Sequence, residues 1–268
     1  MEYVLLCVTG MVAGVLGGLL GIGGSVIMIP AMVWIFGSIV ARPENVHQYQ
    51  AAAMIVNFLL SGSAVIRHAQ AKAIYPGVWK YLAPAALVGM ALGVGASRLA
   101  IFTGSNERYM RMAFGALLLY VAAYNIWKMR GGTSEGISSE EADRVAWPKK
   151  AGVGLPMGFA AGLLGIGGGS FAVPAMQLIL RLPLRNAIAT SSVTILSVAW
   201  FGAIIKNASL GQDGTVVRSL VLAGILAPTA MIGGYIGGRL TYVLPLRIVR
   251  IAFIGLMLVA AVKMFGWL

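Results

Sequence analysis

"GLLGIGGSVIMIPAM", from Gly18 to Met32, returns 144 residues later as "GLLGIGGGSFAVPAM", from Gly162 to Met176. Glycine in a helix interior costs about 1 kcal/mol relative to alanine. Its clustering inside two strongly apolar and nearly identical stretches therefore marks places where a helix is meant to stop. The pairing is gapless, Gly14 with Gly158, Gly18 with Gly162, Gly21 with Gly165 and Pro30 with Pro174. It continues with "LAPAALVG" at 82–89 against "LAPTAMIG" at 226–233, and "RYMRMAF" at 108–114 against "RIVRIAF" at 247–253. Internal duplication of this kind is a mark of transporter folds built from two structural repeats.

Composition sets the class. Of 268 residues 59% are hydrophobic and 10% charged, with a mean hydropathy of +0.87, whereas soluble domains carry roughly a quarter charged residues. The expected fold is an all-α polytopic membrane protein. The net charge of +12 does not point to nucleic acid. Its bases are scattered singly among short loops, as orientation signals in membrane proteins are, and no basic helix face appears. One cysteine, Cys7, excludes an internal disulfide, and two histidines, His47 and His68, are too few for a histidine-built metal site. No Ser-His-Asp constellation or metal-ligand spacing suggests catalysis, so neither an enzyme nor a cofactor is expected.

The only long polar segment, "KMRGGTSEGISSEEADRVAWPKK" at 128–150, divides a first transmembrane repeat, 1–127, from a second, 151–268. It reads as a mobile, solvent-exposed linker. Each repeat offers one long glycine-bearing segment followed by three spans. Residues 3–41 would make a helix of about 58 Å, roughly two bilayer crossings. If the glycines fold that segment into a hairpin there are ten crossings and the repeats are inverted; otherwise there are eight, and the repeats are parallel. Under ten crossings the basic residues collect on the linker side, and under eight they divide almost evenly. The positive-inside rule therefore favours ten, with the linker cytoplasmic and both termini outside.

Broken backbone at membrane depth survives only when buried in protein or lining a wet cavity. A break also starts a new helix, whose free N–H groups and positive dipole end suit an anion. Candidate substrate-binding groups are accordingly Gly21, Gly23, Gly24 and Ser25 in the first repeat, and Gly165, Gly167, Gly168, Gly169 and Ser170 in the second. The plainer reading of the same glycines is close helix packing. The register of two clusters, each joined to a serine and a proline, favours a site.

The next span of the second repeat, "NAIATSSVTILSV", adds Thr190, Ser191, Ser192, Thr194 and Ser197. Sequence alignment sets Gln50 opposite Thr190 and Asn57 opposite Ser197. Hydroxyls and amides can replace an anion's water, although in membrane helices they more often bond their own backbone. No Asp or Glu lies inside a span, which argues against a carboxylate-built cation path.

The repeated Gly-x-Gly-Gly followed by proline, the "TSS" at 190–192 and the polar central linker together resemble the TauE/SafE-type sulfite exporter family of membrane permeases, along essentially the whole chain. The motif residues carried over are Gly21, Gly23, Gly24, Pro30, Gly165, Gly167, Gly168, Gly169, Pro174 and Thr190-Ser191-Ser192. The resemblance implies a secondary transporter in the plasma (inner) membrane of a prokaryote, moving small anions such as sulfite or organosulfonates. It also implies proton coupling and leaves room for a homodimer. Two readings compete with a transporter, an anion or small-solute channel and a non-transporting assembly subunit.

Overall fold

Long runs of Leu, Ile, Val, Met and Ala without internal charge have one stable form in lipid, the helix, which satisfies every backbone group within the segment. The computed structural model describes residues 2–39, 46–99, 107–130, 136–211 and 214–265, and every element among them is helical. The first half gives α1 (Glu2–Leu20), α2 (Ser25–Ile39), α3 (Val46–Gln70), α4 (Pro76–Ala96) and α5 (Glu107–Arg130). A short α6 (Ser139–Arg144) follows, and then α7 (Trp147–Leu164), α8 (Gly169–Ile179), α9 (Leu184–Ala208), α10 (Val216–Val243) and α11 (Leu246–Phe265). Five of these, α1, α3, α4, α9 and α10, are long and apolar enough to cross a membrane, and Ser25–Phe36 and Gly169–Ile179 are shorter apolar helices. Apolar side chains such as Val88 and Leu92 on α4, and Ile232 and Ile236 on α10, lie on the exposed surface. A soluble protein would hide such a face; lipid accepts it.

The two halves interlock. α1 packs along α10, α4 along α7, α3 against α9 and α5 against α11. Glycine makes the closest of these approaches: a Cβ on Gly14 would strike the Ala230 backbone, and one on Gly158 the Ala86 backbone. The packing reading of the glycine stripe is thus correct for α1 and α7, and the breaks at their ends are a separate feature.

Contacts sort the helix ends into two groups. At one end of the bundle His68 of α3 meets Tyr242 of α10, Arg185 of α9 reaches the Tyr242 carbonyl, and Asn186 donates to Ala73 O just before α4. At the other, Gln48 of α3 bonds Thr215 and Ser219, and Lys206 of α9 donates to Ser97 Oγ after α4. α3 and α9 therefore run antiparallel. The end of α1 belongs to the first group, because Thr241 Oγ1 donates to Leu19 O. The end of α2 belongs to the second, because Phe36 stacks on Tyr49 with the Arg218 guanidinium over its ring. The first glycine break turns the chain back on itself.

Two expectations change. Part of the segment at 128–150 is ordered: Ser138 accepts from the Glu141 N–H and Glu141 accepts from the Ser138 N–H, a capping box that starts α6. Lys150, buried, donates to Gly77 O and Asp143 O at 3.0 Å each, so this stretch is docked on the start of α4. The alignment of α3 with α9 also shifts. Gly165 abuts Gln50 where Gly21 abuts Ile188, and Asn57 lies at Gly23 where Ile195 lies at Gly167. Gln50 thus stands where α9 has Ile188, and Asn57 where it has Ile195; the sequence pairing of Gln50 with Thr190 and Asn57 with Ser197 is out of step. Both helices are 25 residues long.

Candidate functional site

Both glycine clusters break their helices, deep inside the protein. Gly21 and Gly23 adopt φ of 64° and 76°, and Gly165, Gly167 and Gly168 adopt 71°, 72° and 77°, a region costly for any residue with a Cβ. Gly21 to Ser25 and Gly165 to Ser170 are all buried. The two breaks touch: a Cβ on Gly169 would run into the Gly21 carbonyl and stand 2.6 Å from Ile22 Cα.

The breaks are finished differently. At the first, the Gly21 and Ile22 N–H groups both return to Gly17 O. The Gly24 and Ser25 N–H groups donate to Asn57 Oδ1 at 2.8 and 3.2 Å, and Asn57 Nδ2 donates to Ser25 Oγ at 2.6 Å. A side chain from α3, fully buried, therefore caps α2. At the second break Gly165 N–H returns to Ala161 O. The N–H groups of Gly168, Gly169 and Ser170 have no partner among the described residues. Ser170 Oγ is likewise buried and unpartnered, as is Gln50 Oε1. The apolar Ile195 occupies the place from which Asn57 caps the first break, so the start of α8 keeps its donors unfilled.

Of the hydroxyls on α9, Ser191 reaches a break, donating to Gly21 O at 2.6 Å. Ser192, Thr194 and Ser197 donate to carbonyls four residues back in their own helix, the common habit of such residues. Thr190 Oγ1 accepts the Tyr75 N–H and Ser197 Oγ accepts from Trp79 Nε1, which ties α9 to the start of α4. The structure thus gathers Gly21, Gly23, Gly24, Ser25, Asn57, Gly165, Gly167, Gly168, Gly169, Ser170 and Ser191 around one place. Gln50 sits beside it at Gly165, while Thr190, Ser192, Thr194 and Ser197 are engaged elsewhere. Among the described residues no group of His, Cys, Asp and Glu could hold a metal ion.

Two helix breaks facing each other in an apolar bundle suit a membrane carrier, and residues 6–264 match the family described as sulfite exporter TauE/SafE. The chain belongs to the TauE/SafE family. Relatives in it are probable membrane transporter proteins. YunE of Bacillus subtilis is 26% identical over 94% of this chain and 95% of its own length, and a protein of Methanocaldococcus jannaschii is 25% identical over 94% and 92%. MamO of Paramagnetospirillum magneticum is 28% identical over 98% of this chain. The chain spans under half of the MamO proteins' length, 44% and 43%. No solved structure matches.

What the sequence misses is the role of Asn57. A lone amide in "IVNFLL" signals a buried polar partner, but identifying that partner as the start of α2 needs the fold.

Proposed function

We propose that this TauE/SafE family member is a secondary transporter for a small anion, sulfite or an organosulfonate, held between the two glycine breaks. The free N–H groups of Gly168, Gly169 and Ser170, with Ser170 Oγ, supply the donors, and the positive end of α8 supplies the field. Asn57, which already orders the first break and lies against Gly167, forms the facing wall with Ser191. Donors in a dry, preformed setting can replace an anion's hydration at little reorganisation cost.

The interlocked packing and the antiparallel run of α3 and α9 support two inverted repeats, 1–127 and 151–268, joined through 128–150. The chain reversal at the first break supports ten crossings. The basic-residue bias supports a cytoplasmic linker in the plasma membrane of a prokaryote. Alternating access then arises from one set of helices rocking about the fixed breaks. The observation that carries this reading is the contact of Gly169 with Gly21 and Ile22, since the break of one half makes a wall of the other. Counterflow in proteoliposomes tests it: unlabelled anion inside should accelerate entry of labelled organosulfonate. Conductance without counterflow would instead mean a channel.

A further inference from the structure

α3 presents a polar residue to the breaks at two places where α9 presents isoleucine, Asn57 against Ile195 and Gln50 against Ile188. Asn57 is occupied as the cap of α2. Gln50 has no such task. Its Cβ and Cγ pack on Gly165, where an added Cβ would stand 2.6 Å from each. The residue is 1% exposed, and its Oε1 is buried with no partner among the described residues. An unmet amide oxygen at that depth costs stability, a cost that the isoleucine at the corresponding place on α9 does not incur.

A second acceptor is unmet at the same spot. Ser191, three residues after Ile188, donates to Gly21 O at 2.6 Å, whereas three residues after Gln50 stands Ala53, which has no hydroxyl. No hydrogen bond reaches Gly165 O among the described residues. The second break therefore has two different ends. At its start, Gly165 O and Gln50 Oε1 are acceptors without donors. At its finish, the N–H groups of Gly168, Gly169 and Ser170 are donors without acceptors, with Ser170 Oγ beside them. Gly165 and Gly168 are three residues apart, about 10 Å even at full extension, so one small molecule can reach both ends.

Such a molecule needs an oxyanion for one end and a hydrogen-bond donor for the other. An anion with nothing to donate would leave two buried carbonyl oxygens facing apolar surface or lone pairs. An ammonium donor would bring a positive charge, and α2, α3, α4, α7, α8, α9 and α10 contain no Asp or Glu to meet it. A neutral hydroxyl needs no counter-charge. We infer that the transported anion is a short hydroxyalkanesulfonate, its sulfonate on the α8 donors and its hydroxyl donating to Gln50 Oε1 and Gly165 O, and that Gln50 selects it. The inference rests on the transporter reading above and adds the chemistry of the guest's other end.

2-Hydroxyethanesulfonate and propane-1-sulfonate differ by an O–H in place of a methyl group, and counterflow in proteoliposomes compares them. In the wild type the half-saturating concentration of the hydroxy compound should be lower by about tenfold or more. Q50M should bring the two within about twofold, chiefly by weakening the hydroxy compound. 2-Aminoethanesulfonate should bind less well than 2-hydroxyethanesulfonate. Equal affinity of the hydroxy and methyl compounds in the wild type would overturn the inference whether or not Q50M folds. An undiminished preference in a folded Q50M protein, or an order led by the ammonium compound, would overturn it too. In each of these cases counterflow persists and the transporter reading stands; absence of counterflow with every sulfonate and with sulfite would remove both.

Discussion

Asn57 on α3 and Ile195 on α9 face the two glycine breaks from corresponding places, and one is polar where the other is not. Asn57 Oδ1 takes the Gly24 and Ser25 N–H groups at 2.8 and 3.2 Å, while Ile195 sends its methyl groups toward Gly167 and Gly169. One half of the duplication is closed by its own side chain, and in the other the N–H groups of Gly168, Gly169 and Ser170 have no partner among the described residues. In the proposed site the two halves therefore contribute unequally.

Replacing Asn57 by Asp separates the cap from the charge. The carboxylate still accepts from Gly24 and Ser25, but it is a charge at a fully buried position, so the melting temperature should fall below that of wild type. Its charge beside Gly167 should weaken anion binding by about tenfold or more. N57A should instead lower stability by about 1–3 kcal/mol, since two buried N–H groups lose their acceptor. Thermal unfolding with and without sulfite measures both; undiminished sulfite binding by N57D would remove Asn57 from the site.

Ile195→Asn offers α8 the cap that α2 already has. The new amide should occupy the Gly168 to Ser170 donors, and sulfite should then no longer raise the melting temperature. A sulfite-induced shift equal to wild type in a folded I195N protein would mean that those donors are not the anion's ligands.

Gly169→Ala tests the contact between the breaks. Its Cβ meets the Gly21 carbonyl, so the halves must separate locally. The expected cost is about 1–3 kcal/mol in stability, with anion counterflow falling at least about tenfold through the lost geometry. Wild-type counterflow would show that this approach is incidental.

The α9 hydroxyls should divide by their partners. Ser191→Ala frees the Gly21 carbonyl and should cost about 1 kcal/mol and raise the half-saturating anion concentration. Ser192→Ala and Thr194→Ala remove bonds that return to their own helix and should leave transport within about twofold of wild type. The reverse pattern in transport assays would place the anion on the other side of α9.

The linker helix α6 carries its own acid sensitivity. The Ser138 N–H and hydroxyl hold the Glu141 carboxyl below its usual range. A lowered folded-state pKa stabilises above the ordinary carboxylate value and ceases to do so as pH falls through the folded value. Hydrogen exchange across 139–144 should therefore be slower in wild type than in E141A at neutral pH, with the difference vanishing at acid pH. Equal exchange at neutral pH would mean that the box contributes nothing in solution.

Much of this was legible in the residues. The position of both breaks followed from glycine clusters in register. The alignment of α3 with α9 was not legible, because these helices share little beyond small residues, and a shift of two keeps an apolar helix apolar. Only the contacts of Gly21 with Ile188 and of Gly165 with Gln50 fix it. The fate of the hydroxyls was equally hidden: Thr194 and Ser191 look alike in sequence, and which face of α9 meets Gly21 is decided by packing between the two halves.

Selenite, which has the shape and charge of sulfite and scatters anomalously, gives the most direct test of the site between the breaks. Crystals soaked with it, measured at the selenium edge, should show an anomalous peak within hydrogen-bond reach of the Gly168, Gly169 and Ser170 N–H groups, and I195N crystals should lack it. A peak confined to the arginines at the helix ends, with nothing between Gly21 and Gly169, would contradict the account.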